Sequence, residues 1–151
     1  MLVRTTTLVR RPPEAVWPLL CDSRITSTPR CPVFQLGAPT PVECFLPAGP
    51  GAVGAPRQCV SDRGVVYQRI TEWSPPARLA FHMERTDLPF GSCVSALSDT
   101  FELTPVAGGR ATRLTRSTRV EVRGRFRWAR ALAVGIGLKA VHRFVFRDWR
   151  R

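Results

Sequence analysis

The sequence predicts an α+β fold in which a curved antiparallel sheet of about six or seven strands wraps a long C-terminal helix. Three observations carry that expectation. From Arg57 to Arg123 apolar residues alternate with polar ones, the period of half-buried strands. Short turn-forming stretches (Asp62-Arg63, SPPAR, PVAGGR) interrupt the alternation, as they do between hairpin-connected neighbours. Beyond Arg123 the period lengthens, and Ala131, Val134, Leu138, Val141 and Val145 recur at steps of three and four as one helical stripe.

The elements follow in order. LVRTTTLV at 2–9 is rich in β-branched residues and reads as a first strand. Pro12 and Pro13 suit the first turn of a helix, where a missing N–H costs nothing. In EAVWPLLCD, Val16, Leu19 and Leu20 share a face, and Pro18 is expected to bend the helix. Ser23–Pro32 reads as a second short helix or turn ending in prolines. Residues 37–56 are loop around a short strand at Val42–Leu46, because prolines and glycines crowd them. Strands are then expected at Arg57–Ser61, Gly64–Trp73, Leu79–Arg85, Ser95–Thr104 and Ala111–Arg123. A helix from about Phe126 to Arg147 completes the chain. Lys139, Arg143, Arg147 and Arg150 fall opposite its apolar stripe. Gly135 and Gly137 each cost about 1 kcal/mol against alanine in a helix interior, so that stretch is expected to approach the sheet or a ligand closely.

Composition bounds the rest. A chain of 151 residues, 44% hydrophobic and 23% charged, suits one globular domain over 1–151. No apolar run reaches the ~20 residues of a membrane span, and the start does not resemble a secretion signal, so the expected compartment is the cytoplasm. The net charge of +12 comes almost wholly from arginine, Lys139 being the one lysine. These arginines are scattered over nearly all segments, which argues against a nucleic-acid face and leaves a peripheral membrane contact open. Cys21, Cys31, Cys44, Cys59 and Cys93 form no CxxC pair and no metal-ligand spacing. An odd count without a secretion signal predicts free thiols, most of them small core residues, with no metal site and no cofactor.

The order strand, two short helices, antiparallel strands, long helix resembles the helix-grip fold of the START/Bet v 1-like (SRPBCC) superfamily, in its polyketide cyclase/dehydrase-like branch. PPEAVWPLLCD, VGAPRQC, GVVYQRITEWSPPARLAF and FELTPVAGGRATRLT carry the resemblance, together with the terminal helix. It implies a cavity between sheet and helix for a hydrophobic molecule such as a lipid or polyketide. A glutamate is common in the family where this chain has Gln68, and the change removes a cavity carboxylate.

Strand parity nominates the residues facing that cavity. The apolar set includes Ile70, Phe81, Met83 and Phe101, joined from the helix by Val134 and Leu138. On the same parities stand Gln68, Asp99, Arg116 and Thr118. A two-residue turn at Asp62-Arg63 places Arg57 opposite Gln68. If PVAGGR closes so that Leu103 faces Thr112, Asp99 faces Arg116. Trp17, Trp73 and Trp128 are expected in the core, a ligand-stacking wall being the alternative, and GPGAVG as a mobile lid at the mouth. His82 and His142 have no identifiable partner, and no nucleophile–base pair, metal cluster or phosphate loop is legible. The expected function is therefore binding of a small hydrophobic molecule. The alternatives are an enzyme of the cyclase/dehydratase type acting by positioning, or a basic interaction protein for acidic lipid or nucleic acid.

Overall fold

A computed structural model describes residues 1–151. The strands are β1 (Leu2–Val9), β2 (Ser23–Arg24), β3 (Pro41–Phe45), β4 (Pro56–Ser61), β5 (Val65–Ser74), β6 (Arg78–Thr86), β7 (Val94–Val106) and β8 (Ala111–Val122). They form one antiparallel eight-stranded sheet in the order β1-β8-β7-β6-β5-β4-β3-β2. The eighth strand is the two-residue β2, which pairs with β3 where the sequence suggests a helix or turn. Register shifts at Tyr67–Gln68 and Ile70–Glu72 in β5, and at Val94–Ala96 in β7, add local twist and help the sheet curl.

Helix α1 (Pro13–Cys21) has a proline at its first position, runs through Pro18, and buries Val16 and Leu20. Helix α2 (Pro32–Gln35) starts at a proline, so Pro32 opens the second helix and does not end it. Helix α3 (Arg127–Trp149) lies against β1 and β8, and no helix is long and apolar enough to cross a membrane.

The main core gathers Val9, Val16, Leu20, Leu79, Leu114 and the last turns of α3, where Phe144, Val145, Phe146 and Trp149 are all buried. A smaller cluster of Val94, Leu97 and Val120 lies toward the other end of the helix. The α3 stripe is divided between these regions. Val145 is buried, while Ala131, Val134, Leu138 and Val141 are only half-buried.

The β7–β8 connection differs from expectation. Val106 pairs with Ala111, so the turn is Ala107–Arg110 alone, and three consecutive residues (Ala107, Gly108, Gly109) take positive φ there. The two glycines make that turn accessible without side-chain strain. Leu103 consequently faces Leu114, and Asp99 faces Thr118. The displacement from the expected register is two residues, an even number, so every side chain keeps its face.

Two cysteine expectations fail. Cys44 and Cys59 lie directly opposite each other on β3 and β4 and form a disulfide, leaving Cys21, Cys31 and Cys93 free. Adjacency across strands, invisible in sequence spacing, brings the pair together. Of the free three, none is fully buried and Cys31 is exposed, against the expected core role. The glycine-rich segment is also placed differently. Gly54 and Ala55 hydrogen-bond the backbone of Ile70, and Gly51 sits against the Trp73 ring, where an added Cβ would lie 2.2 Å from ring atoms. Trp17 and Trp73 pack edge-on at 5.1 Å, but Trp128 is 75% exposed in the first turn of α3.

Candidate functional site

Two chambers adjoin between the sheet and α3. The outer one, about 380 Å³, is walled by α3 from Ala133 to Val141, by the α2–β3 segment Val33–Pro39, and by the 3₁₀ turn that follows β6. The inner one, about 110 Å³, reaches the sheet floor. Pro39, Leu88, Phe90, Leu97, Leu138 and Val141 line both. The mouth is thus bounded by α2–β3 and the 3₁₀ turn. No residue of GPGAVG lines either chamber, which overturns its reading as a lid.

The outer walls are apolar apart from Arg63, and the inner floor carries charge. Arg57 pairs with Gln68 across β4 and β5, as the two-residue turn requires. Its side chain is 2% exposed. Nε and Nη2 donate to the Leu20 carbonyl at 3.2 and 3.1 Å, closing the C-terminal end of α1. Nη1 donates to Gln68 Oε1 at 2.6 Å and to Cys59 Sγ at 2.9 Å. The guanidinium also stacks 4.3 Å over the Phe81 ring. Burial, with the like charge of Arg116, lowers the Arg57 pKa to about 10, so it stays cationic at neutral pH.

Arg116 and Asp99 form the second group. Nε and Nη2 of Arg116 donate to Oδ1 and Oδ2 of Asp99 at 2.9 and 3.0 Å, a bidentate pair. They lie diagonally across β7 and β8, Arg116 standing opposite Phe101 and 5.2 Å from the centre of that ring. Burial pushes the Asp99 carboxyl up, but the Arg116 charge and the hydrogen bonds from Arg116 and Thr118 outweigh it and hold the pKa below its ordinary value.

Behind Asp99 runs a chain of hydrogen bonds that sequence reading did not find. Thr118 donates its hydroxyl proton to Asp99 Oδ1, so its oxygen must accept from His142 Nε2, 2.8 Å away. His142 is therefore protonated at Nε2, and its Nδ1 accepts from the Thr5 hydroxyl at 3.0 Å. Burial of the fully enclosed ring, reinforced by Arg116, lowers its pKa to about 3 and keeps it neutral. A signal existed: His142 follows Leu138 by four residues and precedes Val145 by three, which sets it beside the apolar stripe. His82, by contrast, is exposed.

Of the cavity residues nominated from sequence, Arg57, Gln68, Phe81, Asp99, Phe101 and Arg116 line the inner chamber, Val134 lines the outer one, and Leu138 lines both. Ile70, Met83 and Thr118 line neither. Ile70 is packed in the main core, Met83 rests on the Val94–Leu97–Val120 cluster, and Thr118 is screened by the carboxylate it supports. Trp149 was missed. It is buried and lines the inner chamber, and its Nε1 has no hydrogen-bond partner. Continuing the stripe by four residues past Val145 reaches it. Lys139, Arg143, Arg147 and Arg150 line a separate polar groove with Thr5–Thr7 on the far side of α3.

A family model described as polyketide cyclase / dehydrase and lipid transport matches residues 2–150. Comparison with curated proteins gives no match. Among solved structures, a protein of Mesorhizobium loti is 21% identical with a TM-score of 0.64, the match covering 99% of this chain and 94% of that one. A START superfamily protein from Mycobacterium smegmatis is 13% identical, TM-score 0.61, over 97% of this chain and 96% of its own. The Zhui aromatase/cyclase from Streptomyces sp. R1128 is 14% identical, TM-score 0.62, over 100% and 94%. At these identities the likeness is one of fold.

Proposed function

The chain belongs to the polyketide cyclase/dehydrase and lipid transport family, and on that premise we propose that it binds a small hydrophobic molecule, lipid- or polyketide-like, between the sheet and α3. The observation that carries the reading is the pair of adjoining chambers, apolar outside and ending on a few placed polar groups inside. Binding is favoured over acid–base chemistry. His142 lines neither chamber, and both of its ring nitrogens are occupied by threonines. Asp99 is ionised and held bidentate by Arg116, a poor proton acceptor at neutral pH. Native mass spectrometry of the purified protein, followed by extraction and identification of what co-purifies, tests the proposal. A hydrophobic species bound one to one is expected. A bare protein whose thermal melt ignores a panel of fatty acids, sterols and aromatic polyketides would overturn it.

A second reading, contact with an acidic membrane surface, is favoured by one feature. Trp128, Leu132 and Ile136 are exposed at four-residue steps along α3, and Ile136 also lines the outer chamber, with exposed Leu36 lining it too. Arg125, Arg127 and Arg130 stand nearby, so the ridge pairs apolar insertion with positive charge. Co-sedimentation with phosphatidylserine vesicles, but not phosphatidylcholine vesicles, is expected. Its persistence in Trp128→Ser/Leu132→Ser would refute this surface.

A further inference from the structure

The inner chamber holds more positive charge than the protein neutralises. Three ionised side chains line it: Arg57, Arg116 and Asp99. Asp99 is committed to Arg116 through both carboxylate oxygens. Arg57 has only neutral partners, namely the Leu20 carbonyl, Gln68 and Cys59. One positive charge is therefore left over at a residue 2% exposed. Cys21, which also acts on Arg57, has a pKa raised by burial and stays a neutral thiol. Gln68 sharpens the imbalance, because an amide stands where a carboxylate would have neutralised Arg57.

Two residues lining the same space carry donors without a partner. Arg116, which lines the chamber and is 14% exposed, spends Nε and Nη2 on Asp99, while its Nη1 has no partner. Nε1 of buried Trp149 is also unpartnered. A buried donor without an acceptor is unfavourable, so an acceptor atom placed in the chamber would be stabilised by these groups.

The geometry points to a ligand whose polar end is a single carboxylate, seated in the inner chamber against Arg57, Arg116 and Trp149, with its apolar body in the outer chamber. This rests on the hydrophobic-ligand reading and specifies the head group. A carboxylate supplies one negative charge against one excess positive charge. It is acceptor-only, and the chamber offers donors. A phosphate monoester brings nearly two charges and three bulky oxygens, a poor match for one excess charge and about 110 Å³. An alcohol head would leave the charge unmet.

The test displaces a neutral polarity-sensitive dye, Nile red, with decanoate or with decanol at pH 7.5, both below aggregation. Chain length is constant and only the head changes. A charge-assisted hydrogen bond is about twice as strong as a neutral one, so decanoate should displace the dye at about tenfold lower concentration or better. Arg57→Gln should bring the two to within about threefold, and Arg57→Lys, which keeps the charge but loses the forked contacts, should retain a preference for the acid above that of Arg57→Gln. Equal potency of acid and alcohol on the parent protein overturns the carboxylate assignment and leaves the binding reading standing. Failure of both to displace bound dye, or to bind directly by calorimetry, overturns both. If Arg57→Gln loses its fold by circular dichroism, the acid-to-alcohol ratio of the parent and of Arg57→Lys decides the matter.

Discussion

Removing either partner of the Asp99–Arg116 pair should cost more than removing both. Asp99 is 1% exposed and accepts two charged hydrogen bonds from Arg116 and one from Thr118. Arg116→Met strands that carboxylate with Thr118 as its one remaining donor, and breaking a buried pair in this way costs about 3–5 kcal/mol. Asp99→Asn keeps the shape but leaves Arg57 and Arg116 both uncompensated. Arg116 can draw water from the chamber, so that cost should lie near the lower end, about 3 kcal/mol. In the double variant Asp99→Asn/Arg116→Met the net floor charge is unchanged and no further charge is stranded, so its loss should be at most about 2 kcal/mol. The implied coupling exceeds ~3 kcal/mol, well beyond the scatter expected of independent sites. Urea unfolding of the four proteins at pH 7 measures it, with slopes compared to confirm a common unfolded state. Raising salt to 0.5 M should barely change the coupling, since a buried pair is little screened. Additive single effects below about 1 kcal/mol would place the pair in water and refute the reasoning.

Three further outcomes are expected. The His142 pKa is about 3 when folded, below its ordinary 6.5. The unfolded chain therefore takes up a proton that the folded one refuses. Stability should be complete above the unfolded value and fall as pH drops through the window from about 6.5 to 3, by up to roughly 1.4 kcal/mol per unit. The depressed Asp99 carboxyl adds its own loss in stronger acid. His142→Gln should flatten the part between pH 6 and 4.5 in denaturant titrations, and an unchanged slope there would mean the ring is not enclosed. Thiol alkylation in denaturant should label three cysteines before reduction and five after it. Cys59→Ser should cost up to about 3 kcal/mol, the constraint from a loop of this size, set by a separation of 15 residues. Finally, Phe144→Ala should cost about 3–5 kcal/mol as a core deletion, whereas Leu138→Ala, half-buried on the chambers, should cost under about 1.5 kcal/mol and mainly weaken dye binding.

What could be read without the structure was whatever local spacing controls. The two-residue turn at Asp62-Arg63 sets the Arg57–Gln68 pairing, because nothing else in that hairpin can shift it. Alternation placed Phe81, Asp99, Phe101 and Arg116 on one face. That face survived a two-residue error in the β7–β8 register because side-chain direction repeats every two residues. The α3 stripe was visible from its period, and so was the sheet-then-helix order. Three features depended on contacts between distant segments. His142 acquires its meaning from Thr5 and Thr118, 137 and 24 residues away, on strands paired from opposite ends of the chain. Cys44 and Cys59 meet only because β3 leaves a proline- and glycine-rich stretch to lie on β4. Curvature, finally, decides which apolar side chains are core and which are wall. Where α3 closes on the sheet, Phe144, Val145, Phe146 and Trp149 are buried, and where the two diverge, Val134, Leu138 and Val141 line open space. Periodicity assigns a side chain to a face, but the distance to the opposing face is a property of the whole sheet, and that distance makes a cavity.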